Sequence, residues 1–292
     1  HHLLKLDLVG YPGAEGGLEF INSFPHCIKA YQNHFKIGGY KIFLDGSPQG
    51  RTAWMREPYL PDASGQTDYC GYGTMSDEAV LSAVNLAAEQ GLQLLAHCNG
   101  DGAAEQYLRA FETAYKESGA ASPKEFTAPL RPVIIHAQLI GTDQLEKAAC
   151  LGLIPSFFIA HIYYWGDTHI RNFGIERASR ISPAASARAL NIPYTFHQDS
   201  PVIEPNMLET VWCAVNRLTR NGVLLGEGER ISVLDAFKGI TIHAAYQYFE
   251  ENSKGSLAPG KLADLVILGD NPLTVSPESI RDIPVIETIK EG

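Results

Sequence analysis

The sequence predicts an α/β fold: a partial, TIM-like (β/α) barrel followed by the remnant of a small β-sandwich domain. Three observations predict it. Short buried strand patterns alternate with helical patterns along most of the 292 residues, as in parallel βαβ units. Five successive strand segments end in polar residues, namely Lys41 and Asp45, then His97, Asn99 and Asp101, then His136 and Gln138, then His161, then His197 and Asp199. A barrel gathers its chemistry at one such end of its strands, whereas a doubly wound sheet binds at a single switch point. Beyond residue 252 the pattern changes to two short strands that cannot form a core by themselves. The expected division is therefore a barrel over residues 1–252 and β-domain strands over residues 253–292.

In chain order, residues 3–9 alternate apolar and polar and break at Gly10 and Pro12, as a strand does. Residues 11–38 read as irregular and residues 40–46 as a strand. Residues 47–75 form a long loop rich in Gly, Pro and Tyr, either a substrate wall or a surface excursion. Ser76 caps a helix over residues 77–90, which Gly91 stops. The buried run ending at His97 is a strand, and Asp101 caps the helix over residues 102–118. Residues 131–138 are a strand, and Thr142 caps a helix that ends before Gly152. Residues 153–160 form a strand that feeds the segment from His161 to His169. Ser182-Pro183 opens a helix to about residue 190, and residues 191–196 are the sixth strand before residue 200. Two long helices, about 204–219 and 232–250, precede the tail strands. A closed barrel has eight strands, so about two are expected upstream.

Composition excludes several functions. The net charge is −10 with no Lys/Arg cluster, which argues against nucleic acid. No apolar run approaches the roughly 18 residues of a membrane span. Five scattered cysteines without a CxxC suit a reducing compartment, so a cytoplasmic location is expected. The chain starts inside a strand and ends on a turn, as a fragment of a longer protein would, and His1-His2 resembles tag residue.

A lone histidine at a strand end is most often structural; its company decides. Neutral imidazole binds divalent metals, and a carboxylate completes such a site. His97, His136 and Asp199 occupy equivalent strand ends. Lys41 is the unusual member. Beside a dication its amine can react with CO2, which turns a cation into a bridging carboxylate. Asp45, Arg51, His161, Tyr164, Trp165 and His197 are the candidates for contact with a small-molecule substrate. Arg51 could meet an anionic group or form a surface ion pair, and Tyr164 with Trp165 could stack on substrate or cap the mouth.

The segments Lys41-Ile-Phe-Leu-Asp-Gly-Ser47, Ala96-His-Cys-Asn-Gly-Asp101, Ile135-His-Ala-Gln138 and His197-Gln-Asp-Ser-Pro-Val202 resemble the metal-dependent amidohydrolase superfamily. The likeness is to amidohydrolase family 3, of the YtcJ or N-substituted formamide deformylase type. Arg230-Ile-Ser-Val-Leu-Asp-Ala236 and the tail from Gly255 to Val266 share it. The resemblance implies that Lys41 is a carboxylated, metal-bridging lysine on barrel strand four. It implies that His97 and His136 bind a second metal, and that Asp199 binds the first and moves the proton of the attacking water. One or two divalent ions, zinc foremost, would serve hydrolysis of a C–N bond in an amide, formamide or cyclic amide. The family's His-x-His pair on strand one is not present here, so this piece alone is expected to be inactive. Alternatives are a non-catalytic binding or regulatory relative and a lactonase or phosphotriesterase-like hydrolase. A homodimer is compatible with the family.

Overall fold

Five parallel strands carry the molecule. The computed structural model describes residues 4–63 and 65–292. Strand β1 (Leu8–Gly10), helix α1 (Ala14–Ser23) and β2 (Phe35–Ile37) precede β3 (Gly39–Phe43). Then come α2 (Asp77–Glu89), β4 (Gln93–Cys98), α3 (Asp101–Ser118), α4 (Pro123–Thr127), β5 (Val133–His136), α5 (Thr142–Leu151), β6 (Ile154–Phe157), α6 (His161–Ala178), α7 (Ala184–Ala189) and β7 (Thr195–Phe196). The sheet order is β3-β4-β5-β6-β7, all parallel. β1 pairs with β2 and extends the β3 edge, where the Lys41 N–H donates to Pro12 O at 2.9 Å. Among the described residues the sheet runs from one edge to the other without closing.

Helices cover one face for a reason legible in their spacing. On α2 the buried residues are Val80, Ala83, Val84 and Ala87, one stripe at helical period. On α3 they include Ala104, Tyr107, Leu108, Phe111 and Ala114. These meet Tyr40, Ile42, Leu94, Ala96 and Ile134, which alternate along β3, β4 and β5 on the same side. Each fully buried Leu, Ile or Phe contributes roughly 1.5–3 kcal/mol. Ser76 accepts the Ala79 N–H at 3.2 Å and starts α2, a cap worth about 1 kcal/mol. Gly152, at φ +73°, stops α5 in a left-handed turn that a side chain would strain.

The opposite face is smaller and mixed. Leu95, Val133 and Ile154 form a separate apolar layer with Tyr11, Ile135 and Tyr246. Below it, Gln93 Nε2 donates to the Arg131 and Gln247 carbonyls, and Tyr11 Oη donates to Gln93 Oε1 at 2.5 Å.

After β7 come α8 (Met207–Asn216), α9 (Val233–Ile240) and α10 (Ile242–Gln247). Fully buried Arg217 donates from Nε to Leu225 O and from its Nη atoms to Ile181 O and Ser182 O, which clamps two connections together. Antiparallel β8 (Leu265–Leu268) and β9 (Val285–Ile289) form the tail. The turn between them docks on α8, where Trp212 Nε1 donates to Glu278 O at 2.9 Å. No helix among the described residues is long and apolar enough to cross a membrane.

Several local expectations give way to packing. The first strand is residues 8–10, and His1 and His2 lie outside the described residues. Residues 11–38 contain α1 and β2 rather than loop alone. His161 to His169 belongs to helix α6, because His161, Ile162, His169 and Phe173 are buried along it. The helix expected over residues 232–250 breaks at Thr241, whose φ of −124° and ψ of −94° are not helical. Gly141, not Thr142, occupies the cap position of α5. Asp101 does not cap α3 either: it is the first helical residue, and its carboxylate accepts the Arg56 N–H at 2.7 Å.

Candidate metal centre

The register of the sheet decides which side chains can meet. In parallel strands, partnered residues face the same side. Lys41 pairs with Leu95, Leu95 with Val133 and Val133 with Ile154, so Lys41 joins the apolar layer of the uncovered face. Two residues further along, Phe43 pairs with His97, His97 with Ile135, Ile135 with Ser156 and Ser156 with Thr195. Lys41 rises to this second level, with Nζ 4.8 Å from the centre of the Phe43 ring, and that ring is 5.5 Å from His97.

The histidines converge. The His136 ring lies 4.6 Å from His97 and 4.8 Å from His197, edge-on to both. Strict alternation would turn His136 away from Ile135. The positive φ of His136 (+71°) and Ala137 (+43°) ends the strand and re-aims the chain there. His197 stands between Ser156 Oγ, 2.9 Å from its Nδ1, and His136 Nδ1, 3.1 Å from its Nε2. Burial, reinforced by the neighbouring imidazoles and Lys41, holds His136 well below the usual histidine range. Burial, with Lys41 and His97, brings His197 down to about 3. Both rings are therefore neutral near pH 7, the form that offers a lone pair.

Lys41 and Asp199 complete the group. Burial pulls the Lys41 amine below the usual lysine range, while the Asp199 charge pulls it back up. Asp199 is exposed just past β7, in a left-handed conformation at φ +52°. Neutral imidazoles, an acidified amine and a carboxylate at one end of one sheet fit a divalent cation chemically. A tighter trio lies elsewhere: among the described residues, Asp7, His34 and Glu291 bring three ligand atoms within 4.8 Å. Lys254 and Lys290 already pair with Asp7, and Lys290 with Glu291, so that trio is an ion-pair cluster.

The substrate-contact candidates separate. Asp45 has no exposed side-chain surface and its carboxylate is fully engaged by His97, Trp54, Asn99 and Gly100, so it does not line a pocket. Arg51 lies over Tyr59 at 5.1 Å, with Asp62 3.8 Å from its Nε. Tyr164 is pushed up to about 12 by burial and by Glu209, and Arg220 stacks on it at 4.6 Å. Trp165 remains at the site, 4.6 Å from the His161 ring. His161 is buried with Nδ1 3.2 Å from Nε2 of His169, and its ring is 6.5 Å from His136.

Sequence reasoning left Asn99, Ser156 and His169 without roles. Asn99 Nδ2 lies 3.2 Å from His97 Nε2. Ser156, in the otherwise apolar run of β6, was the available signal: a buried hydroxyl requires a partner. The long loop is no loose excursion, since Ala53, Met55 and Tyr59 are buried and Met55 N–H donates to Cys70 O at 2.7 Å.

A model of the amidohydrolase family matches residues 17–292. The chain belongs to the amidohydrolase family. Among curated amidohydrolase relatives, the candidate amidohydrolase YtcJ of Bacillus subtilis (strain 168) is 27% identical over 94% of this chain and 50% of its own length. The N-substituted formamide deformylase of Arthrobacter pascens is 24% identical over 70% of this chain and 37% of its own. The crystal structure of an uncharacterized metal-dependent hydrolase from Pyrococcus horikoshii OT3 superposes with a TM-score of 0.78 at 27% identity, over 94% of this chain and 52% of that one. The chain thus spans about half the length of these relatives, or less.

Proposed function

We propose that this amidohydrolase-family chain contributes the metal-binding and proton-transfer residues of a hydrolase that cleaves a C–N bond in an amide, formamide or cyclic amide. One observation carries the reading: Lys41, His97, His136, His197 and Asp199 gather at the C-terminal end of a single parallel sheet, the end at which a (β/α) barrel works. The five strands and β1 would be consecutive staves of that barrel, and β8 with β9 part of a small β-domain.

Lys41, His97, His136 and Asp199 would hold a divalent cation, zinc foremost among the metals that accept imidazole and carboxylate together. When bound, a divalent ion supplies Lewis acidity toward a carbonyl and lowers the pKa of water. The residues do the rest. The lowered proton affinity of Lys41 favours the neutral amine, the form that reacts with CO2 to give a carbamate. Asp199, exposed at the mouth, takes the proton of the attacking water and returns it to the leaving nitrogen. His197, neutral and oriented by Ser156, would hydrogen-bond a substrate carbonyl by exchanging its Nε2 contact with His136. Trp165 beside His161 offers an apolar wall.

The test is a panel of N-substituted formamides, linear amides and cyclic amides, assayed on the chelated and zinc-restored full-length protein. Turnover that disappears on chelation, returns with the metal and is absent in Lys41→Ala supports the reading. Turnover indifferent to chelation would sink it, and preference for lactones or phosphotriesters would move it to another bond.

A further inference from the structure

The geometry points to Asp45 as the positioning residue of the site. Its carboxylate accepts the Nδ1–H of His97, keeps the ring's lone pair on Nε2 for a cation, and ties that tautomer to the seating of the long loop.

The assignment comes from both sides of the ring. A carboxylate oxygen only accepts hydrogen bonds. Asp45 Oδ1 receives the Asn99 N–H at 3.0 Å and lies 3.1 Å from His97 Nδ1. Asp45 Oδ2 receives the Gly100 N–H at 2.7 Å and the Trp54 N–H at 3.1 Å. With two partners on each oxygen, the carboxylate is satisfied only if His97 Nδ1 donates. On the far side, Asn99 Nδ2 sits 3.2 Å from His97 Nε2 and also donates to Gly46 O at 2.8 Å. The Gly46 carbonyl can only accept, so the Asn99 group between it and the ring is the amide NH2, and Nε2 accepts a hydrogen bond from it. Two independent neighbours demand the same tautomer: Nδ1–H, with the lone pair on Nε2.

That tautomer is the useful one. A metal-ligating histidine commonly gives its other N–H to a carboxylate, which orients the ring and raises its basicity. The Asn99 bond on Nε2 joins two neutral groups and is easily exchanged for a metal–nitrogen bond. The Asp45 bond lies on the opposite nitrogen and survives that exchange.

The other three donors give Asp45 its second role. Trp54 belongs to the long loop, whereas Asn99 and Gly100 begin the connection from β4 to α3. Trp54 O in turn accepts the Gly102 N–H at 3.0 Å, and a Cβ on Gly100 would fall 1.9 Å from Trp54 O. The loop therefore sits on the β4 connection at contact distance, and Asp45 joins it to His97 in one hydrogen-bonded unit.

This inference rests on the metal reading only for its purpose, so the two can fail separately. Long-range 1H–15N correlation of the histidine rings in the metal-free protein, with His97 assigned by its loss in His97→Gln, should show the Nδ1–H form. An Nε2–H ring at His97 would overturn the inference whatever the protein binds. In Asp45→Asn the Nδ1–H population should fall, and zinc affinity measured by competition with a chelating dye should drop about 10–100-fold. Asn99→Ala should keep the tautomer and bind zinc within a few-fold of the unaltered protein. A folded Asp45→Asn with unchanged zinc affinity and unchanged tautomer would overturn it. If Asp45→Asn does not fold, the tautomer in the unaltered protein still decides. The Nδ1–H tautomer in a protein that binds no zinc would leave Asp45 in place and remove the metal reading instead.

Discussion

The two edges of the site are built on opposite principles. At the His97 edge, β3 and β4 run five and six residues, Asp45 is buried, and three backbone amides and one imidazole converge on it. At the Asp199 edge, β7 is two residues long and Asp199 lies in the open, past the last ladder bond. A ligand that must hold a cation in one place profits from a ring whose tautomer and orientation are set. A group that must collect a proton and hand it on profits from solvent access and freedom to turn. The contrast suits the proposed roles: firm holding of the cation at the His97 edge, and proton transfer by Asp199, beside its share in holding, at the other.

The sharpest way to break that contrast is to compare turnover with metal content. His97→Ala should lose both zinc, by elemental analysis, and activity. Asp199→Asn should lose activity by about 10²–10⁴-fold while keeping most of its zinc, the span of general acid–base catalysis. Equal loss of zinc in the two variants would erase the division of labour.

Packing offers the next test. Gly100→Ala places a methyl against the Trp54 carbonyl and should cost about 2–3 kcal/mol by urea unfolding. Val202→Ala, at the open edge where the side chain is 52% exposed, should change stability by less than about 0.5 kcal/mol. Similar costs at both positions would mean that the His97 edge is no more tightly built.

Acid should act on the imidazole wall. An unfolded histidine binds its proton near pH 6.5. His197 and His169 resist protonation down to about 3, the first through burial with Lys41 and His97 nearby, the second through burial alone. Between those values the unfolded chain holds more protons, so this contribution to stability is complete above about pH 6.5 and is lost as pH falls toward 3. Melting temperatures between pH 7.5 and 5 should therefore decline with acid. His197→Gln should flatten the decline; an unchanged slope in His197→Gln would dissociate the site from acid lability.

The smallest effect belongs to Ser156→Ala. Loss of its hydrogen bond to His197 should cost about 1 kcal/mol, and the ring nitrogens of His197 should broaden or shift in NMR spectra as the ring gains freedom. No change in either would make Ser156 a bystander.

How much of this was legible beforehand varies by residue, for physical reasons. The buried runs before His97 and His136 and the caps at Ser76 and Gly152 are local, and each appears where its pattern places it. Helix α6 was not legible. Its first turns carry two tyrosines, a tryptophan, a glycine and an aspartate, with no clean apolar stripe, and its support comes from Asn172 and Phe173, which pack against the long loop. The break at Thr241 lies between β-branched Ile240 and Ile242, a weak hint that a continuous helical pattern concealed. Asp45 was visible as a polar strand end, yet its partner is 52 residues away and no spacing rule links them.

By itself the sequence determined the alternation of strand and helix, the stripe each helix buries, and the chemical types available at the strand ends. Those properties follow from side-chain period and local propensity, which act over a few residues. Tertiary structure alone decided that His136 turns back toward His97, that Lys41 climbs one layer to the Phe43 ring, and that the Asp45 carboxylate meets His97. Register, burial and the pairing of every buried donor with an acceptor set these outcomes, and all three depend on neighbours far away in the chain.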